Sequence, residues 1–402
     1  MLHLLSPQGF QAGSVYAGIK TRRVPDVALL VCQTNASAAA MFTTNRVCAA
    51  PVKIGIQHIA CGRLRGVVVN AGNANACTGL QGERDARRMC QIAAEVVGCN
   101  ADQILPSSTG IIGHLLPMEK INRGIRSAAE KLGASAEHAQ LFSDAILTTD
   151  LKRKTAAAQF KVGREKVTIA GVCKGSGMIG PRLAPPGALH ATMLAYLTTD
   201  AKIIPGVLQR ALNTAGQASF NSVTVDDHTS TNDTLAVLAS GLGGKVSKAG
   251  DIKSFAKALN EVCQSLAYQI AADGEGATKV VRINVTGARN ESDARLIARA
   301  IAVSPLVKCA MHGNDPNWGR IVSAAGFCGA RFDPDRSQLK LQGVVVFKSG
   351  RPMKFSASQV SKMLKVAEVV IDLNCAMGQG AATVWTCDLS KEYVTINADY
   401  HT

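Results

Sequence analysis

The chain has few aromatic residues, few acidic ones and no long apolar run, and each shortage removes a class of function. Tryptophan, tyrosine and phenylalanine together make up 4% of the 402 residues. Single-stranded nucleic acid is gripped by stacking bases on aromatic side chains, so the chain lacks the platforms for it. The net charge of +15, from 44 Lys and Arg against 29 Asp and Glu, is therefore not read as a nucleic-acid footprint. That holds although Arg84, Arg87, Arg88, Lys120, Arg123 and Arg126 fall on expected helices; acidic small ligands or solubility account for the charge more simply. No stretch of 18 uncharged apolar residues occurs, so no membrane-spanning helix is expected. Met1-Leu-His-Leu-Leu-Ser-Pro7 has neither the basic start nor the apolar centre of a signal peptide, and a cytoplasmic protein is expected. Twelve cysteines are scattered with no Cys-x-x-Cys pair, which argues against a zinc site or a disulfide framework and for reduced thiols. Asp226-Asp227-His228 and His312-Gly-Asn-Asp315 lack metal-ligand spacing. No metal and no cofactor is expected.

What is present fits an α/β chain able to bury a large core in two or three domains, with 47% apolar residues. Expected strands are 27–32, 66–70, 167–170, 280–285, 339–347 and 383–386. The 3.6-residue period predicts helices over 84–97, 118–132, 136–147, 203–218, 251–272, 291–302 and 357–366. Asn290, with Glu291 and Asp293 after it, suits a helix start. There is no internal repeat and no low-complexity linker.

Thr192 stands mid-chain after a small residue, Ala191, and before an apolar run. Ala191-Thr-Met-Leu194 can be an ordinary apolar segment. A threonine hydroxyl becomes a nucleophile only with a base beside it, and its own α-amine can be that base. Cleaving Ala191-Thr192 would release an amine of pKa about 7.7–8.0, partly neutral near physiological pH. Upstream, Lys174-Gly175-Ser176-Gly177 sets a cation before a loop whose glycines let backbone N–H groups approach an anion. It is not a phosphate-binding P-loop, because Gly-x4-Gly-Lys-Ser/Thr is absent and the lysine precedes the glycines.

These residues resemble the ornithine acetyltransferase (glutamate N-acetyltransferase) family of arginine biosynthesis. The resemblance rests on Lys174-Gly-Ser-Gly-Met-Ile179, Ala191-Thr-Met-Leu-Ala195, Asn70-Ala-Gly-Asn-Ala-Asn75, Ser107-Ser-Thr-Gly-Ile111 and Thr148-Thr-Asp150. It continues through Ser222-Val-Thr-Val-Asp-Asp227, Asp273-Gly-Glu-Gly-Ala-Thr278, His312-Gly-Asn-Asp-Pro-Asn-Trp-Gly319 and Asn397-Ala-Asp-Tyr-His-Thr402. The motifs span the chain in order.

The resemblance implies a self-processing layered α/β sandwich whose sheets are shared by an alpha fragment, 1–191, and a beta fragment, 192–402. It implies that Thr192 accepts acetyl from N2-acetylornithine as an ester and passes it to L-glutamate, a ping-pong scheme. Thr109 and Gly110 would form the oxyanion hole, and Thr148, Lys174, Thr192, Glu275, Asn397 and Thr402 would bind substrate. Lys174 would meet the α-carboxylate and Glu275 the side-chain ammonium. The resemblance leaves acetyl-CoA open as a second donor and implies a heterotetramer of two alpha and two beta fragments. Read by themselves, Ser107–Gly110 and Gly274-Glu275-Gly276 are also consistent with turns, and the terminal Thr402 would have to dock rather than fray. Two departures stand out. Gly180–His190 is longer than the family pattern, directly before the scissile bond, and Leu151-Lys-Arg-Lys154 replaces an expected threonine, leaving the contact near Thr148 open. The rival expectations are a self-processing amidase or aminopeptidase, with water as acceptor, and an uncleaved, non-catalytic binding protein.

Overall fold

The computed structural model describes residues 1–185 and 193–399. They form two compact units, Met1–Asn221 with His228–Leu266, and Ser222–Asp227 with the chain from Ala267 on. The divisions lie far in sequence from Ala191-Thr192, a pair outside the described residues.

The first unit is built on β1 (Phe10–Val15), β2 (Val27–Phe42), β3 (Arg63–Asn73), β4 (Ile104–Ile111), β5 (Lys154–Val162), β6 (Glu165–Lys174), β7 (Leu194–Thr199) and β8 (Thr234–Ala239). They make one sheet in the order β4-β3-β2-β8-β7-β6-β5, with β1 paired to β2. Strands from both sides of residue 192 are thus interleaved, since β7 and β8 sit between β2 and β6. The pairs β3–β4 and β7–β8 are parallel. Parallel strands need cover on both faces, and in Leu194–Thr199 and Thr234–Ala239 every residue is buried.

Six helices cover this sheet: α1 (Ala50–His58), α2 (Gly79–Val97), α3 (Met118–Glu130), α4 (Ala136–Ile146), α5 (Pro205–Gln217) and α6 (Ala249–Ala272). Successive strand side chains point to opposite faces, and β2 shows the consequence. Ala28 and Leu30 join Phe142 and Ala145 of α4 in one core, whereas Val27, Leu29 and Val31 join Met89 of α2 and Ile121 and Ile125 of α3 in another. The result is a layered sandwich. A bulge between Val31 and Ala36 lets β2 pair with β1 and β3 early and with β8 late.

The second unit holds β9 (Val280–Ala288), β10 (Gln338–Leu341), β11 (Val344–Lys348), β12 (Arg351–Pro352), β13 (Glu368–Asn374) and β14 (Gly380–Cys387), ordered β12-β11-β10-β13-β9-β14. Its helices are α7 (Glu291–Val303), α8 (Pro305–His312), α9 (Trp318–Gly326), α10 (Ala357–Met363) and α11 (Lys391–Asp399). The expected start of α7 is present, with Asn290 Oδ1 accepting from Asp293 N at 2.9 Å. The single strand expected over 339–347 is a hairpin. Gln342 and Gly343 both take positive φ, +48° and +80°, the requirement of a two-residue hairpin turn, and the apolar residues on either side had masked it.

Phe142 is fully buried with its ring 5.7 Å from that of Tyr196 on β7. Phe142→Ala should cost about 3–5 kcal/mol, read as a lower urea midpoint with an unchanged slope.

Candidate active site

At one end of the large sheet the tips of β4 and β6 meet the starts of β7 and β8. Register sets Lys174, the last residue of β6, opposite Leu194, the first of β7. Beside it the Thr234 N–H at the start of β8 donates to the Met193 carbonyl at 2.7 Å. The Asn232 amide then ties this strand start to β4 and to the end of β3, donating to Ser108 O at 2.8 Å and Ala74 O at 2.5 Å. From the other direction Lys174 Nζ donates to Thr109 Oγ1 at 3.4 Å.

Lys174 is only 5% exposed, and this long bond is the one hydrogen bond its ammonium makes among the described residues. A buried cation with three donors and one long contact is under-satisfied; an incoming carboxylate would supply what it lacks. Thr109 is also buried. Ser107–Gly110 is therefore no turn but the end of a strand, held in place from β3, where Asn70 Oδ1 accepts from Ser108 Oγ at 2.6 Å. Gly110 has φ +129°, and a Cβ there would lie 2.4 Å from the Gly72 carbonyl carbon. Only glycine allows the two strand ends to approach so closely.

Thr148 lies in the connection after α4, half-buried, its N–H donating to Asp150 Oδ2 at 3.2 Å. Asp150 is the centre of this corner. Its Oδ1 accepts from Lys154 Nζ at 2.7 Å and from Gly175 N at 2.6 Å, so one carboxylate fastens the Thr148 segment to the residue after Lys174. Burial pushes the Asp150 carboxyl up, but Lys174, Lys154 and the two hydrogen bonds outweigh it and hold it at about 2. The departure at Leu151–Lys154 thus has a structural use, because Lys154, 1% exposed, is the ion-pair partner. Nearby, Lys20 is lowered to about 8 by burial, with Asp26 opposing and Lys174 adding to the shift; its Nζ is engaged by the carbonyls of Pro25, Asp144 and Ala145.

Glu275 and Asn397 belong to the second unit, where Asn397 Nδ2 donates to Glu275 Oε2 at 3.0 Å. Gly276 (φ +67°) opens a path for backbone, since a Cβ there would lie 2.4 Å from Tyr393 N of α11. In the same unit the two clusters weighed as metal ligands are taken up by protein contacts. Asp227 pairs with Arg299, His312 Nδ1 meets Asp388 Oδ2 at 2.7 Å, and Asn314 Oδ1 accepts from Lys279 Nζ. Asp388 also accepts from Thr278 N and Lys279 N, at 2.8 and 2.9 Å.

The structure therefore groups Thr109, Gly110, Lys174 and Thr148 in one unit and Glu275 with Asn397 in the other. Ala191, Thr192 and Thr402 lie outside the described residues. Sequence reasoning missed Asp150, Asn232 and Asp233 as organisers. For Asn232 and Asp233 the one signal was polar residues abutting a run that proved to be a fully buried strand.

Because Asp150 is held below its unfolded value of about 3.9, it contributes stability that is present above about pH 4 and lost as pH falls towards 2. Asp150→Asn should flatten that part of a plot of unfolding midpoint against pH. At neutral pH it should cost about 3–5 kcal/mol, because Lys154 loses its partner.

The sequence pattern of the ArgJ family matches residues 11–402. The arginine biosynthesis bifunctional protein ArgJ of Bacillus cereus (strain ATCC 10987) is 44% identical over 404 residues, covering 99% of this chain and 97% of that one. Its counterpart in Dehalococcoides mccartyi (strain CBDB1) is 45% identical with the same coverage. The crystal structure of arginine biosynthesis bifunctional protein ArgJ from Bacillus halodurans superposes with a TM-score of 0.51 at 42% identity, over 52% of this chain and all of that one. With near-complete coverage at this identity and motifs in order along the whole length, the chain belongs to the ArgJ family.

Proposed function

We propose that this chain, an acyltransferase of the ArgJ family, carries acetyl from N2-acetylornithine to L-glutamate in arginine biosynthesis. The observation that carries the reading is the under-satisfied ammonium of Lys174, buried against Thr109 Oγ1 at the point where β7 begins. Both substrates present an α-carboxylate, and Lys174 is placed to receive one.

The chemistry runs in two halves. Cleavage of Ala191-Thr192 gives fragments 1–191 and 192–402, and the amine of Thr192 becomes the base for its own hydroxyl. Thr192 Oγ1 attacks the acetyl carbonyl as its proton passes to the amine. The tetrahedral oxyanion is met by the Thr109 hydroxyl and the Gly110 N–H, donors worth about 3–4 kcal/mol each in such sites. The proton then leaves with the ornithine nitrogen, and glutamate runs the sequence in reverse from the ester. Thr148 and Thr402 complete the site with neutral groups, and Glu275, held by Asn397, takes the ornithine side-chain ammonium. The fragments assemble as a tetramer of two alpha and two beta pieces. Three features support this reading. Strands from both sides of residue 192 interlock in one sheet, which would hold cut pieces together. The solved relative matches in full over only about half of this chain, as a separate fragment would. All twelve cysteines are unbridged, which suits the cytoplasm, and no helix among the described residues is long and apolar enough to cross a membrane.

Intact mass under denaturing conditions should show two fragments divided at Ala191-Thr192, and the protein should move acetyl from acetylornithine to glutamate. A single full-length mass would overturn the reading; rapid release of free acetate with no acetylglutamate would replace it with a hydrolase. Thr192→Ala should remain uncut and inactive. Lys174→Ala should raise KM for both substrates by about tenfold or more, with a smaller change in kcat.

A further inference from the structure

Asp233 immediately precedes β8 and is wholly buried, yet among the described residues neither of its carboxylate oxygens has a hydrogen-bond partner. Burying a carboxyl without hydrogen-bond partners is unfavourable, so it calls for an explanation. Its backbone is firmly set, the carbonyl accepting from Thr43 N at 2.9 Å and the next residue's N–H donating to Met193 O at 2.7 Å. With Leu194 opposite Thr234 in a parallel pair, Asp233 stands beside Met193, the residue bonded to Thr192.

We propose that Asp233 is a positioning residue of the acetyl-transfer centre, its carboxylate accepting an N–H from the α-amine of Thr192 and so orienting that amine towards the threonine hydroxyl. The inference rests on the self-cleavage described above. It supplies the third member that activated nucleophiles commonly need: nucleophile, base and a group that orients the base. Asp233 gains and loses no proton during transfer. The hydroxyl proton goes to the amine as the Oγ1–C bond forms, the ammonium returns it to the departing ornithine nitrogen as the C–N bond breaks, and the carboxylate stabilises the ammonium in between. Its role parallels that of the aspartate in a Ser-His-Asp triad.

The charge pattern agrees. Burial raises the Asp233 carboxyl well above the usual range, and Lys174 on β6 is the charged group that opposes this. The pair is too far apart for a salt bridge. Thr43 after β2, Met193 before β7 and Asn232 on the same strand start, which flank its backbone, are uncharged. Lys174 is itself countered by Asp150, which Lys154 already shares. The carboxyl of Asp233 thus lacks a close cation until the cleavage creates one.

Asp233→Asn tests this, with three readouts. Asparagine is isosteric and removes a buried, unpaired acid, so thermal stability should be equal to or above wild type, whereas a carboxyl kept for structure would lose it. The chain should still be cut. The turnover number for acetyl transfer should drop about 100-fold with little change in KM, a loss at the low end for acid–base assistance. The acid limb of kcat/KM should move to lower pH, because an amine without its carboxylate neighbour is less basic. Turnover within about twofold of wild type with the acid limb unmoved would overturn the proposal. So would a folded but uncut chain, since the carboxyl would then act in the cleavage and not on its product. Asp233→Glu, which keeps the charge, should recover part of the turnover; if it behaves like Asp233→Asn, charge is not what matters and the proposal fails. A wild-type protein that is itself uncut would instead remove the reading beneath it.

Discussion

The buried carboxylate of Asp150 is the constraint on which the sheet end with Lys174 depends. Two lysines in an apolar setting would be costly alone, and the carboxylate makes one of them tolerable by direct pairing while its field acts on the other. The same oxygens accept backbone N–H groups of Thr148 and Gly175. Two segments separated in sequence are thereby drawn to one point: the connection from α4 into β5 and the end of β6. Lys174 is left next to Asp150's field but without its hydrogen bonds, and so stays available to an anion.

Strand register does the rest. Because β7 runs parallel to β8 and antiparallel to β6, the first residues of β7 are flanked by the last residue of one neighbour and the first of the other. Met193, the residue before β7, is thereby set beside Asp233, and Asn232 ties this corner to the end of β4. Interleaving would keep the two sides of a cut before β7 together. The bonds that β7 and β8 make to β6 and β2 do not pass through residues 191 and 192.

Much of the fold was legible where periodicity is strong. The helices over 118–130, 136–146, 205–217 and 291–303 begin within two residues of their expected starts, because one apolar stripe per 3.6 residues has few other solutions. Strands β1, β4, β5, β7, β8, β12 and β13 and helices α1, α8, α9 and α11 were not anticipated. Leu194–Thr199 and Thr234–Ala239 are buried on both faces and so show no alternation to read. Within β4, Ser107–Gly110 was also consistent with a turn because serine, threonine and glycine favour turns in isolation; its Asn70 and Asn232 partners come from elsewhere in the chain.

By itself the sequence determined the family and, with it, the candidate residues Thr109, Gly110, Lys174, Glu275 and Asn397, because those are matters of residue identity and order. It could not show which would be buried, paired or left wanting. That Lys174 holds a single long hydrogen bond and Asp233 lies buried without a partner among the described residues, and that Lys154 rather than a threonine completes Asp150, were decided by the tertiary structure. The reason is physical: the state of a charge depends on solvent exclusion and on neighbours brought in from distant segments, and strand register, not sequence spacing, chooses those neighbours.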